Sequence, residues 1–181
     1  MKVLMLNGSP RKEGCTYTAL CQIAETLKEN GIESEIFQAG NADIENVRAA
    51  AKKMTEADAL IVGSPVYWAS PTGQIIEFMD KFCSFAGKDM LMKPAAAIAS
   101  ARRAGTTATL DVLLKYFSFH QMPIVSSNYW NMVHATHRTK SSRTKKDSRS
   151  CTSSARTWHG FFTVWKPEKM PEFQNRKPKR R

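Results

Sequence analysis

Residues 2–7 read KVLMLN and residues 8–16 read GSPRKEGCT. A short apolar run ends in Gly8-Ser9-Pro10, and the next apolar residues, Ala19, Leu20, Ile23, Ala24 and Leu27, recur at helical spacing until Gly31 stops them. This is the pattern of a buried parallel strand, a tight turn and a helix. The turn itself is rich in anion-binding chemistry. Gly8 and Gly14 let backbone amides approach a ligand closely, Ser9 and Thr16 offer hydroxyl donors, and Arg11 offers a charged fork. The helix that follows adds the partial positive charge of its N-terminus. The segment is neither a Walker A loop, which needs Gly-Lys-Ser/Thr, nor the G-x-G-x-x-G dinucleotide fingerprint. A phosphate cradle is the expected role, and a plain capped turn is the alternative.

Working outward, the same alternation repeats. Strands are expected at 2–7, 33–38, 59–63, 95–100 and 123–126, with the second nearer an edge. Helices are expected at 16–30, 44–55, 74–85 and 107–119. Five strands alternating with helices predict an α/β fold with a doubly wound five-stranded parallel sheet in three α/β/α layers. Ligands in such sheets bind beyond the carboxyl ends of the strands, which singles out the loops 7–16, 64–73 and 100–107. In the second loop Tyr67 and Trp68 stand side by side, placed to stack on a flat heteroaromatic ring, with Pro65 and Pro71 stiffening the segment. Packing under a neighbouring helix or a subunit interface is the other reading. In the third loop Ser100, Arg102, Arg103, Gly105 and Thr106 offer donors for a ring edge or for phosphates, or two solvated arginines.

The chain of 181 residues suffices for one domain with a core, and it holds no apolar run of membrane-spanning length. The start does not read as a signal peptide, so the cytoplasm is the expected compartment. The cysteines, Cys15, Cys21, Cys83 and Cys151, form no C-x-x-C pair, so neither zinc nor a disulfide framework is expected. The net charge of +11 lies wholly in residues 135–181, with 14 basic and 3 acidic residues, because residues 1–134 hold 13 of each.

Three stretches, KVLMLNGSPRKEGCTYTAL at 2–20, IVGSPVYWASPTGQIIEFMDK at 61–81 and ASARRAGTTATLDVLLKYFSFHQMPIVSSNYWNMVH at 99–134, resemble the NAD(P)H-dependent FMN reductase family of the flavodoxin-like superfamily. The third is most like the subgroup related to iron–sulfur flavoproteins. The resemblance implies that Ser9, Arg11, Cys15 and Thr16 hold the phosphate of FMN. It implies that Pro65, Val66, Tyr67 and Trp68 line the flavin ring, and that Ser100, Arg102 and Gly105 complete the site. It further implies NAD(P)H as electron donor, a small-molecule acceptor such as a quinone, a free flavin or a metal centre, and a homodimer. Hydride chemistry of this kind needs no catalytic acid or base from the protein, and His120 and His134 are read as structural. Two departures stand out. The subgroup's cysteine-rich stretch between the second strand and second helix is missing, because residues 38–43 (QAGNAD) lead straight into the helix, so no iron–sulfur cluster is expected. Cys15 stands where relatives often carry Asn. A thiol at a helix N-terminus is a candidate for unusual acidity, and a buried inert cysteine is the other reading.

The expected domain is 1–134, and 135–181 is a basic, atypical tail. Residues 135–157 contain no Leu, Ile, Val or Phe and read as disordered. The last helix of the fold is therefore missing or altered. The genetic code suggests a cause. Restoring one base after the His134 codon lets 135–148 be re-read as GNTPDEVKQDEEGL and 157–167 as NMAWLLHCLEA. There Trp158-His159 must give Ala and Trp165-Lys166 must give Glu. The restored string has a capped, acidic start and an apolar helical stretch, and resembles the family's last helix. Two other readings stay open: an electron-transfer or binding module with a basic nucleic-acid-binding arm ending in residues 177–181 (KPKRR), and a damaged inactive copy. The arm lacks a regular pattern of basic and aromatic residues, so nucleic acid is not the expected partner.

Overall fold

The computed structural model describes residues 1–127 and 129–134. Strands β1 (Lys2–Asn7), β2 (Glu33–Gln38), β3 (Ala59–Tyr67), β4 (Ser70–Pro71), β5 (Ala95–Ala101) and β6 (Met132–His134) alternate with helices α1 (Cys15–Glu29), α2 (Ile44–Glu56), α3 (Gly73–Met90) and α4 (Thr106–Phe119). The main sheet runs β2-β1-β3-β5-β6 and is parallel throughout, with β4 returning antiparallel on β3. The chain begins in β1, moves outward to β2, then crosses back to β3 on the other side of β1. The switch point therefore lies between β1 and β3, where crevices form beyond the strand ends.

Period-two alternation sorts the core into two layers. Val3, Met5, Ala59, Ile61, Ala96 and Ile98 face α1, where Ala19, Leu20, Ile23 and Leu27 meet them. Leu4, Leu6, Leu60, Val62, Ala95, Ala97 and Ala99 face α2, α3 and α4 through Val47, Met54, Phe78, Phe82, Leu113 and Phe117. These strands are apolar on both faces because helices cover both, which is why their sequences read as unbroken runs. Edge strand β2 differs. Its Glu35 pairs with Lys53 of α2 and with Lys2 of β1.

Helix starts obey local chemistry. Asp43 caps α2 by accepting from the Asn46 amide at 2.9 Å, and Thr72 caps α3 by accepting from the Ile75 amide at 3.3 Å. Helix α1 has Gly14 at its cap position and no side-chain cap, and its first turn holds no acidic residue.

Two elements differ from expectation. The expected strand at 123–126 forms only a bridge from Ile124 to Ala95, with Val125 N–H donating to the Ala95 carbonyl at 2.8 Å. The chain then leaves the sheet, with Ser127 Oγ accepting from the Tyr129 amide at 3.2 Å, and the strand that forms is β6. Ser127 here offers the backbone of Tyr129 a side-chain partner in place of ladder bonds, and pairing resumes where Val133 reaches the core. Strand β3 also runs past its expected end at Gly63. Residues beyond Gly63 have outrun β1, so Pro65, which has no N–H to give, sits where pairing is needed only toward β5. Among the described residues no helix is long and apolar enough to cross a membrane. The expected last helix and the tail 135–181 lie outside the described residues.

Candidate functional site

The first loop turns on buried polar side chains. Asn7, at the end of β1, is fully buried. Its Oδ1 accepts from the Ser9 amide at 3.3 Å, and its Nδ2 donates to Gln38 Oε1 at 2.8 Å and to the Lys12 carbonyl at 3.2 Å. Ser9 Oγ accepts from the Arg11 amide at 3.1 Å, which tightens the turn. Ser9 is 5% exposed and Thr16, in the first turn of α1, is 1% exposed, whereas Arg11 and Lys12 lie in solvent. Hydroxyls and backbone amides thus gather at a helix N-terminus that no side chain caps, with cationic side chains at the rim. Such an arrangement attracts an anion.

The three loops interlock. The Gly8 amide donates to the Gly63 carbonyl at 2.8 Å, and Thr72 Oγ1 donates to the Gly8 carbonyl at 3.0 Å, joining the first loop to the second. Thr16 Oγ1 and Ser100 Oγ lie 2.7 Å apart, joining the first to the third. One hydroxyl of that pair donates to the other, so one proton is left to donate outward. Pro65 sits opposite Ser100 in the β3–β5 register. At Gly105, the N-cap of α4 with φ +101°, an added Cβ would lie 2.7 Å from Ala69 Cα and 2.9 Å from Val66 Cγ1. The third loop therefore packs directly on the second.

The second loop is a hairpin. Val66 pairs with Pro71 and Tyr67 with Ser70, leaving Trp68 and Ala69 as its two central residues, with φ of +52° and +56°. Positive φ at both positions is the habit of Asn-Gly turns, and bulky Trp adopts it at a cost in strain. The result is an indole wholly exposed at the tip, beside Tyr67 at 45% exposure. Core packing does not account for these rings. Strain of this kind is concentrated in proteins at ligand clamps, switch regions and other functional sites.

Ser9, Thr16, Ser100, Pro65, Val66 and Gly105 thus lie in the interlocked part of the three loops, while Arg11, Arg102, Tyr67 and Trp68 form the exposed rim. Cys15 is half-buried, and burial pushes its thiol up, with its own backbone hydrogen bond and Arg11 opposing only in part. An inert thiol fits this better than an acidic one. Asn7, Gln38, Ser64 and Thr72 are organising residues that the sequence reading passed over. For Asn7 and Gln38 the signal was a polar residue at the carboxyl end of two adjacent strands, where they are register partners at the last rung of β1 and β2. Hollows of about 570 Å³ between α3 and α4 and about 300 Å³ beside α4 at the sheet edge are lined by other residues. Donor chemistry, not volume, picks out the loops.

Comparison with known proteins gives the family and the fold. An iron–sulfur flavoprotein of Methanocaldococcus jannaschii is 30% identical over 149 residues, spanning 71% of this chain and 77% of that one. A WrbA-like flavodoxin from Agrobacterium tumefaciens shares the fold with a TM-score of 0.68 at 20% identity, covering 91% of this chain and 98% of its own. FerB, an NAD(P)H:(acceptor) oxidoreductase flavoenzyme from Paracoccus denitrificans, superimposes with a TM-score of 0.66 at 17% identity, over 90% of this chain and 93% of that one. The family model of the NADPH-dependent FMN reductases matches residues 1–137, and the chain belongs to that family, an FMN flavoprotein oxidoreductase of flavodoxin-like fold.

Proposed function

We propose that the chain is an FMN-dependent NAD(P)H oxidoreductase that passes electrons to a small-molecule acceptor: a quinone, a free flavin or a metal centre. The observation that carries this reading is the convergence of three interlocked loops on an uncapped helix N-terminus, with a strained aromatic hairpin beside it. The donor set fits FMN. Ser9, Arg11, Cys15, Thr16 and the amides of the first loop would hold the phosphate. Pro65, Val66, Tyr67 and Trp68 would line the ring, with Ser100, Arg102 and Gly105 at its polar edge.

When bound, FMN supplies hydride acceptance from a nicotinamide and onward electron delivery. The residues of the chain bind and orient. The α1 N-terminus and Arg11 neutralise the phosphate, with no carboxylate in the first turn to oppose it. The hairpin presents an aromatic face on a backbone already fixed, so little ordering remains to be done on binding. Arg102 and Arg103 lie exposed within the third loop, available to the phosphates of the electron donor. Two copies associating as a homodimer belong to the same proposal.

The test is the absorbance spectrum of the purified protein with FMN and then NADPH added under anaerobic conditions. A bound-flavin spectrum that bleaches on NADPH addition is expected. Failure to take up FMN at micromolar concentration would overturn the reading.

A further inference from the structure

We infer that Gln38, at the end of β2, is the positioning residue of the phosphate loop, so that the β2–α2 connection tunes the affinity for a phosphorylated ligand without touching it. This rests on the flavin reading for the identity of the ligand but not for the geometry. Gln38 Nε2 donates to the Ser9 carbonyl at 2.6 Å, and its Oε1 accepts from Asn7 Nδ2 at 2.8 Å, while Asn7 Oδ1 accepts from the Ser9 amide. The two side-chain amides therefore grip Ser9 by both its N–H and its C=O. The donor and acceptor roles are forced. A carbonyl oxygen only accepts, so nitrogen must face Ser9, and the Asn7 nitrogen is committed to two acceptors.

The grip is anchored from behind. The Ala39 amide donates to the Asn7 carbonyl at 2.9 Å, and Ala39 is fully buried. Asn46 Nδ2 donates to the Gln38 carbonyl at 3.2 Å and to the Asn41 carbonyl at 2.7 Å, tying the start of α2 to the end of β2. The connection also lies flat on the loop. A Cβ at Gly40 would stand 2.6 Å from the Ser9 carbonyl oxygen and 3.2 Å from Pro10 Cα. Residues 38–43 thus form a short buttress against the back of the loop, fixing the turn from which the Ser9 hydroxyl and the following amides are presented.

A loop held before the ligand arrives costs less to order on binding. Loss of the grip should therefore weaken binding of a ligand that uses the loop and spare one that does not. FMN and riboflavin differ by the phosphate alone, which makes them the probe pair. The experiment titrates the full chain and its Gln38→Leu and Gln38→Glu variants with each flavin, following flavin fluorescence. Amide hydrogen exchange of the flavin-free proteins is measured in parallel.

Gln38→Leu is expected to weaken FMN roughly tenfold, equivalent to about 1.4 kcal/mol, and to leave riboflavin within about twofold. Gln38→Glu keeps the bond from Asn7 but sets a carboxylate against the Ser9 carbonyl and near the phosphate. It should weaken FMN further, and the extra loss should shrink as salt is added. Exchange should quicken at Ser9 and Arg11 while the amides of β1 and β3 stay protected. Equal losses for the two flavins would show a merely structural role and overturn the inference, as would unchanged FMN affinity with unchanged exchange in the loop. Should the unaltered chain bind neither flavin, the flavin reading falls, and exchange at Ser9 and Arg11 in the variants alone decides whether Gln38 positions the loop.

Discussion

Replacing Gly105 by Ala tests how the second and third loops are held together. The residue has φ +101° and ψ 3°, outside the region that an L-residue adopts readily. A left-handed backbone costs a non-glycine residue about 1–2 kcal/mol. The new Cβ would also meet Ala69 Cα at 2.7 Å and Val66 Cγ1 at 2.9 Å, and the first is backbone that cannot swing aside. Overpacking of this kind costs about 1–3 kcal/mol. Together the change should destabilise the domain by about 2–5 kcal/mol, against a typical total of about 5–15 kcal/mol. The cheapest relief is for the hairpin to move off α4, since only the pairs Val66–Pro71 and Tyr67–Ser70 hold β4 to β3. The lower urea midpoint should therefore come with weaker FMN binding. Equilibrium urea unfolding, followed by far-ultraviolet circular dichroism, gives the first quantity and a flavin titration the second. A loss under about 0.5 kcal/mol with unchanged FMN affinity would refute the close approach and the reasoning built on it.

Other expectations follow from single contacts. Thr16→Val should cost about 1–3 kcal/mol by leaving the buried Ser100 hydroxyl unpaired, and adding Ser100→Ala should restore part of that stability but not FMN affinity, as urea midpoints and flavin titration will show. Burial pushes the Cys83 thiol up to about 12, with Asp80 adding to it, so iodoacetamide at pH 8 should leave Cys83 unmodified in the native chain and label it in urea, read by peptide mass mapping. Glu35 is held below the ordinary carboxylate range chiefly by its hydrogen bond to Lys53. Its folded form thus binds its proton only at lower pH than the unfolded form does. The stability it contributes is present above the ordinary carboxylate range and is lost as pH falls through the depressed value. Glu35→Gln should accordingly flatten the acid limb of stability against pH between about pH 5 and 3, measured by urea midpoints across that range.

The inner strands and the order of elements were legible because helices cover both faces of the sheet. Residues such as Leu4, Met5 and Leu6 must then all be apolar, and no alternation confuses the reading. The three loops were legible from topology, since a doubly wound sheet leaves its crevice at the strand ends. The β6 edge was not. Pro123-Ile124-Val125 has the composition of a strand, and only tertiary pairing reveals that it contributes one bridge before the chain departs. The hairpin was also hidden. Trp-Ala is not a turn sequence by propensity, and the positive φ at Trp68 and Ala69 belongs to the two-residue turn closed by the pairs Val66–Pro71 and Tyr67–Ser70. Asn7 and Gln38 escaped because each is an ordinary strand-end amide when taken alone. Their meaning comes from the register that sets them side by side.

The interrupted pairing beyond β5 has a consequence for behaviour at high concentration. An open parallel sheet has two lateral borders, and an unguarded border invites a strand from another molecule, the first step toward amyloid-like stacking. On one border, β2 carries Glu33 and Glu35, the latter paired with Lys2 and Lys53, so an incoming strand would have to displace paired charges. On the other, among the described residues β6 contributes three and the bridge at Ile124 stands apart from it. Among the described residues no stretch there runs long enough to template a full ladder. The irregularity that breaks the last strand also guards the border against intermolecular growth.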